Sequence, residues 1–278
     1  MDNFKQSLQP VREQIEKRGS IHDIRTTVNT AVDIGNTRLK CGFFLPSGKI
    51  EVRPLPIPPN EKQFAKLTSA YSKPITWRIA QTGSFHWQEC KTTILKARPC
   101  DTFKIVSRRH IPLNIDVDIP HKIGIDRLLA AFAATEKYRD LSMMVVDAGS
   151  AITVDAIHNR TFCGGAILPG LVALSKSYPT ISKKLPLIPT SDSFLNSRPV
   201  YPGKNTKDAI RSGLYWGTIG AILQLHNMFC TQKRADVRLI LTGGDAGYIL
   251  SGLSSVLPEQ QITHCDTLVL EGINFCFE

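Results

Sequence analysis

The sequence predicts a duplicated α/β fold, on three observations. The 278-residue chain is long enough to bury two ordinary cores. Two blocks of β pattern alternate with helical pattern along it. The turns that open those blocks echo each other: Val32-Asp33-Ile34-Gly35-Asn36 and Val146-Asp147-Ala148-Gly149-Ser150 both read strand, aspartate, small turn with glycine, polar residue, strand. Aspartates 33 and 147 stand 114 positions apart, too far for a short-period repeat and right for a duplicated domain.

The elements follow in order. Residues 1–29 are polar and charged, with Pro10 interrupting them, and read as an N-terminal extension without visible chemistry. Strands are expected over 28–33, 39–45 and 50–55, joined by a turn at Gly35-Asn36-Thr37 and another at Pro46-Ser47-Gly48-Lys49. A proline-rich stretch ends the third strand, and Asn60-Glu61 opens a helix through Tyr71. Further strands are expected over 75–80 and 103–106. Ile125, Leu128, Leu129 and Phe132 recur at helical spacing, which predicts a helix over 125–138 behind Gly124. The second β block spans 143–150 and 152–157. Residues 175–206 carry five prolines and no periodicity, and read as a long excursion or flap. Thr206 is the expected N-cap of a helix to about Phe229, with Asp208 in its first turn. Gly213, Gly217 and Gly220 lie three or four apart within it, a spacing that suits close helix packing or a subunit contact. A strand over 237–241 runs into Thr242-Gly243-Gly244. The domains expected are 30–140 and 141–278.

Composition excludes several classes. Hydrophobic residues make up 42% and charged residues 21%, a globular composition. No apolar run approaches the ~18–20 residues that span a bilayer, and the first residues carry no secretory pattern, so no membrane association and a cytoplasmic location are expected. Seven cysteines with no C-x-x-C pair argue against a zinc site or a disulfide framework. The net charge of +10 is concentrated between Arg160 and Arg211, at net +6, without the aromatic interleaving of single-strand binders. It suits a solvated face or a field that favours anionic substrates; nucleic acid is not the expected partner.

Four motifs carry chemistry. A carboxylate at the end of a buried strand is costly unless something pairs with it. Asp33, beside Gly35, suits a Mg²⁺ held through water, while turn N–H groups, Asn36 and Thr37 meet phosphate oxygens. Lys40 either reaches a phosphate or lies on the surface. The second loop, from Asp147 to Thr153, offers close approach at Gly149 and a hydroxyl at Ser150, and would face the phosphates from the other domain. Gly243-Gly244 suits a sugar or base packed against bare backbone, or a simple β-turn. Gly124-Ile125-Asp126-Arg127 places Asp126 in the first turn of a helix, where the dipole keeps it ionised. Such a carboxylate can orient a substrate hydroxyl and later take its proton, because phosphoryl transfer through a loose transition state needs little early proton removal. Arg127 suits a carboxylate or a phosphate oxygen pair. Neither a Walker A loop nor a Rossmann glycine fingerprint is present.

These motifs, with Gly164-Gly165-Ala166-Ile167-Leu168-Pro169-Gly170, Gly203-Lys204-Asn205-Thr206, Thr242-Gly243-Gly244 and Leu270-Glu271-Gly272, occur in an order that resembles the type III pantothenate kinases, the family that includes Bvg accessory factors. The resemblance covers roughly residues 30–278. It implies two ribonuclease H-like domains of the actin-like phosphotransferase superfamily, each a mixed five-stranded sheet flanked by helices, with a nucleotide cleft between them. It implies transfer of the ATP γ-phosphoryl group to pantothenate in coenzyme A synthesis. It also implies Mg²⁺ with ATP, a monovalent cation (K⁺ or NH₄⁺), and a homodimer that completes the pantothenate pocket. Carried over by residue, Asp126 is the proton acceptor. Gly124, Ile125, Asp126, Arg127 and Thr206 contact pantothenate. Asp33, Ile34, Gly35, Asn36, Thr37, Arg38, Leu39, Lys40 and Ser150 contact ATP, and Asp147 helps hold the monovalent cation. Three positions depart from the family: Ser150 and Ile152 stand where threonines are usual, so Ile152 removes a polar contact near the phosphates, and Val117 stands where a substrate-contacting tyrosine is usual. A regulatory homologue without activity, or a kinase of another small hydroxylated compound, are the alternatives.

Overall fold

The computed structural model describes residues 28–138, 142–188 and 198–278. The N-terminal extension up to residue 27 and residues 189–197 of the expected flap lie outside the described residues.

Two sheets share one topology. In the first, β1 (Asn29–Ile34), β2 (Arg38–Phe44) and β3 (Ile50–Pro56) form an antiparallel meander, and β4 (Thr76–Gln81) and β5 (Thr102–Ile105) add in parallel, giving the order β3-β2-β1-β4-β5. Helices α1 (Glu61–Leu67) and α2 (Trp87–Ala97) make the β3–β4 and β4–β5 crossovers. The second sheet repeats this with β7 (Ser142–Ala148), β8 (Ala151–His158) and β9 (Thr161–Pro169) antiparallel, and β10 (Arg238–Thr242) and β11 (Ile262–His264) parallel to β7. Its crossovers use α4 (Leu171–Ile181), α5 (Thr206–Lys233) and α6 (Ala246–Leu253).

The second sheet has six strands, not the expected five. β6 (Asn114–Ile115) pairs in parallel with β9 at the edge. Two residues cannot display a period-2 pattern, so this strand leaves no mark in the sequence. Helix α2 was equally silent, because only Cys90 and Ile94 of its eleven residues are buried. Part of the proline-rich excursion is helical: α4 continues to Ile181 with Pro179 in its last turn, where the lost N–H breaks only the end of the ladder.

Three apolar clusters fix the layers. Val32, Ile34, Leu39, Phe43 and Trp77 pack with α1 and α2 on the outer face of the first sheet. Met144, Val146, Ile152, Val154 and Leu241 pack with α5 and α6 on the outer face of the second. Between the sheets, Ala31, Ala80, Val145 and Ile157 surround α3 (Ile125–Lys137) and α7 (Leu268–Phe275). Helix α7 comes from the end of the chain yet lies against β1 of the first sheet, where a Cβ on Gly42 would stand 3.1 Å from Leu270. A Cβ on Gly272 would fall 2.3 Å from the Leu129 carbonyl, so glycine there lets α7 and α3 approach closely.

Candidate active site

Strand alternation aims both echoed aspartates into the space between the sheets. Ala31 belongs to the central cluster and Val32 and Ile34 to the outer one, so Asp33 shares the inner face with Ala31. Val145 and Val146 divide in the same way, so Asp147 faces inward too. The β1–β2 and β7–β8 hairpin loops then meet: Thr37 Oγ1 and Ser150 Oγ lie 3.4 Å apart, joining residues 113 positions distant.

Different contacts brace the two hairpins. Thr82 Oγ1, beyond β4, donates to Asp33 Oδ1 at 2.6 Å, and the N–H groups of Thr82 and Gly83 donate to the Ile34 carbonyl at 3.0 and 2.7 Å. Ser84 N–H donates to Asn36 Oδ1 at 3.2 Å. A Cβ on Gly83 would stand 2.3 Å from the Gly35 backbone, so only glycine allows this approach. The second hairpin is braced from its own domain through backbone groups. Gly170 N–H donates to the Ser150 carbonyl at 3.3 Å, and Asp245 N–H to the Ala148 carbonyl at 2.9 Å. Gly243, at φ +97°, passes so near that a Cβ would fall 2.4 Å from Asp147 Oδ1.

Helix α3 brings its N-terminus to the same place. Asp126 folds back over Gly124, where a Cβ would lie 2.3 Å from Asp126 Oδ1, and it accepts the Arg127 N–H at 2.9 Å. Asp126 faces Asp33, Asp147 and Asp155 closely enough to raise the proton affinity of all three. Burial is the larger cause for each. It pushes Asp33 up, with the Thr82 hydrogen bond and the Lys40 charge offsetting part of the rise. Asp147 has no such hydrogen bond and reaches about 6 despite Lys40, which is the cation facing both. Lys40 pairs with Asp33 across the β1–β2 ladder, which places it in the cleft rather than on the outer surface.

Sequence reasoning missed three contributors. Asp155 on β8, 1% exposed, accepts from Arg127 Nε at 2.9 and 3.2 Å and from Nη2, tying α3 to the second sheet. The Arg127 guanidinium also stacks over Phe162 at 5.5 Å. Nη1 has no hydrogen-bond partner among the described residues. An aspartate amid the apolar residues of 152–157 was the available signal. Thr82 gave none, since nothing local marks the residue after a strand as a partner of one 49 positions earlier. Asp245, raised by burial and lowered again by Arg38, lies where the second sheet's glycine loop faces the first hairpin.

The other expected residues divide. Within the segment from Asp33 to Lys40, Ile34 and Leu39 are fully buried in the outer cluster, so they offer the cleft only backbone. Ile152 is likewise fully buried in the second core. Its replacement of a threonine is therefore a packing change, and the expectation of a lost phosphate contact is corrected. Val117 packs toward Gly164, 3.6 Å from a Cβ placed there. Thr206 is not the N-cap of α5: Asn205 is, accepting the Asp208 N–H at 3.0 Å, because an amide side chain at that position reaches N3. Thr206 is exposed in the first turn, and no hydrogen bond or charge interaction among the described residues joins it to the aspartates. Beside it, a cavity of about 270 Å³ is lined by Arg198, Lys204, Asp208 and Arg211.

Among the described residues, no three His, Cys, Asp or Glu side chains converge on a common ion. The donors nevertheless fit Mg²⁺, which keeps several waters and uses one or two carboxylates together with substrate phosphates. Asp33 is such a carboxylate, facing the cleft from the first hairpin.

Paired sheets of this topology give the chain an actin-like fold. An archaeal actin homologue, Ta0583, superposes with a TM-score of 0.50 over 89% of this chain and 98% of its own, at 12% identity. The type III pantothenate kinase family model matches residues 30–228, and the chain belongs to that family. A type III pantothenate kinase of Rhodopirellula baltica is 34% identical over 155 residues, 55% of each chain. A Campylobacter jejuni structure of the Baf family is 25% identical, with a TM-score of 0.52, over 89% of this chain and 96% of that one. The chain spans between 54% and 61% of the length of the first curated relatives it matches.

Proposed function

We propose that the chain is an active ATP-dependent pantothenate kinase, transferring the γ-phosphoryl group to the pantothenate hydroxyl to give 4′-phosphopantothenate for coenzyme A synthesis. The observation that carries this reading is the meeting of the two hairpins at Thr37 and Ser150, with Asp126 charge-coupled to both Asp33 and Asp147. Phosphoryl transfer needs positioning and charge compensation more than covalent catalysis. Gly35 and Gly149 let backbone N–H groups approach phosphate oxygens, while Thr37, Ser150 and Lys40 supply hydroxyls and one positive charge. Asp126 orients the acceptor hydroxyl and takes its proton as the phosphoryl group leaves ATP. Arg127, fixed by Asp155, presents Nη1 to the acceptor's carboxylate. Asp33 would hold Mg²⁺, through water, and the ion would neutralise phosphate charge. Asp147, which holds a proton readily, is suited to a monovalent cation, K⁺ or NH₄⁺, that favours its ionised form.

The division of the chain near residue 140 and a homodimer belong to the same reading. Gly213, Gly217 and Gly220 lie on the exposed side of α5, and a Cβ on Gly217 or Gly220 would meet nothing within 4 Å. A second copy seated there would bring its Thr206 end toward this chain's pocket. No helix among the described residues is long and apolar enough to cross a membrane; a cytoplasmic location is part of the proposal.

A panel of hydroxylated acceptors with ATP and Mg²⁺, in sodium and in potassium buffer, tests the proposal. Phosphorylation of pantothenate, stimulated by potassium, is the expected result. Phosphorylation of a different acceptor, or of none by folded protein, overturns it.

A further inference from the structure

Away from the cleft, the far end of α3 carries a second convergence of reactive groups that the kinase reading does not use. Lys137 Nζ, in the last turn of α3, donates to Cys265 Sγ at 3.3 Å and lies 2.5 Å from Glu271 Oε2. Cys265 Sγ donates to Glu271 Oε1 at 3.5 Å, and Thr267 Oγ1 donates to the same oxygen at 2.5 Å. A thiol, an amine and a carboxylate thus share one site roofed by Tyr138, whose ring lies 5.6 Å from Nζ. Of the seven cysteines, all free thiols, Cys265 alone bonds a lysine among the described residues. The site is enclosed without being sealed: Cys265 is 7% exposed and the Lys137 side chain 29%.

We propose that Lys137 and Cys265 form a reversible oxidative cross-link, a sulfenamide, on exposure to a hydroperoxide. In the first step Cys265 Sγ attacks one peroxide oxygen, the O–O bond breaks, and the thiol becomes a sulfenic acid with release of water. In the second, the Lys137 amine attacks that sulfur, an S–N bond forms, the S–O bond breaks, and a second water leaves. Glu271 Oε2 receives the ammonium proton and returns it to the departing hydroxide. The sum is thiol plus amine plus hydrogen peroxide giving sulfenamide plus two waters, a two-electron oxidation that leaves the chain two hydrogens lighter. Two equivalents of an external thiol reverse it, regenerating thiol and amine and leaving a disulfide.

Proximity favours this over further oxidation, since the amine is in place when the sulfenic acid forms. Burial pulls the Lys137 proton affinity down, but the bond to Glu271 and the neighbouring thiol and carboxylate charges outweigh it and leave it raised. The amine is consequently a minority form, and the cross-link yield rises with pH. Once formed, the bond staples the last turn of α3, whose first turn holds Asp126, to the segment between β11 and α7.

The test is a hydrogen peroxide series on the full chain at pH 7 and pH 8.5, followed by digestion without reductant and mass spectrometry. The expected product joins the peptides of Lys137 and Cys265 at two hydrogen masses below their sum, is more abundant at pH 8.5, and vanishes with dithiothreitol. In Lys137→Arg, which keeps the charge beside Glu271, the link is lost and Cys265 proceeds to sulfinic acid. Sulfinic or sulfonic acid without a link in the unaltered chain overturns the proposal, as does a Cys265 that stays reduced while exposed thiols such as Cys100 oxidise. The readout is independent of kinase activity.

Discussion

The β1–β2 and β7–β8 hairpins are built on one plan and differ in what holds their aspartates. Asp33 accepts a hydroxyl hydrogen bond from Thr82. Among the described residues no hydroxyl donates to Asp147, which burial pushes up to about 6, and its hairpin is steadied by backbone contacts from Gly170 and Gly243. Duplication therefore fixed the placement of two carboxylates that burial raises alike, and the surroundings gave only Asp33 a hydroxyl that opposes the rise.

The largest expected effect comes from the residue that both aspartates feel. Asp126→Asn removes the proposed proton acceptor, and general-base loss should lower turnover by about 10²–10⁴-fold. It also removes a negative charge that raises Asp33 and Asp147, so both should ionise at lower pH in the variant. Steady-state phosphorylation together with carboxyl titration by NMR checks both parts. Near-normal turnover would remove Asp126 from its assigned role.

Next in size is the pH behaviour of Asp147. Its folded value of about 6 lies above the ordinary 3.8, so between those values the folded chain holds more proton than the unfolded one. Stability contributed at this site is then present at low pH and falls as pH rises through about 6. Asp147→Asn should unfold later than the unaltered chain above pH 7, by up to about 3 kcal/mol from two pKa units, and the gap should close toward pH 4. Potassium should narrow the gap by stabilising the ionised side chain. A pH-independent gap in denaturant titrations would mean that Asp147 is not the raised acid.

Glycine substitutions compare the clamps on the two hairpins. Gly83→Ala puts a Cβ 2.3 Å from the Gly35 backbone, and Gly170→Ala puts one 2.3 Å from the Gly149 carbonyl. Each overpacks backbone against backbone and should cost about 1–3 kcal/mol, measured by denaturant unfolding. Tolerance at one position only would show that its hairpin is free to shift.

How much of this was legible in the sequence follows from the range of each contact. Asp33 and Asp147 could be read because strand alternation, aspartate and glycine turn lie within five residues. Asp126 could be read because a helix start is local. The partner of Arg127 lies 28 residues away on a strand, and the brace of Asp33 lies 49 away beyond another, so neither has a local mark. Thr206 was misread as a cap because asparagine and threonine are both good caps side by side, and only backbone geometry separates them. Ile152 was misread as a pocket residue because its face depends on which side of the second sheet carries α5 and α6.

The smallest effect isolates the difference between the hairpins. Thr82→Val keeps the shape of the residue beyond β4 and deletes the 2.6 Å hydrogen bond to Asp33 Oδ1. The Asp33 carboxylate then keeps its burial and its repulsion by Asp126 while losing the hydroxyl that favours its charged form, so its proton affinity should rise further. A hydrogen bond to a charged group contributes about 1.5–3 kcal/mol, and partial rehydration of a carboxylate lining an open cleft reduces the loss to about 1 kcal/mol. In activity, the acid limb of the pH profile should move to higher pH, with KM for ATP raised more on the acid side of the profile than on the alkaline side. A profile that does not move would mean that Thr82 is only a backbone brace for Gly83. The two hairpins would then differ in how they are held, and not in the charge they present to the cleft.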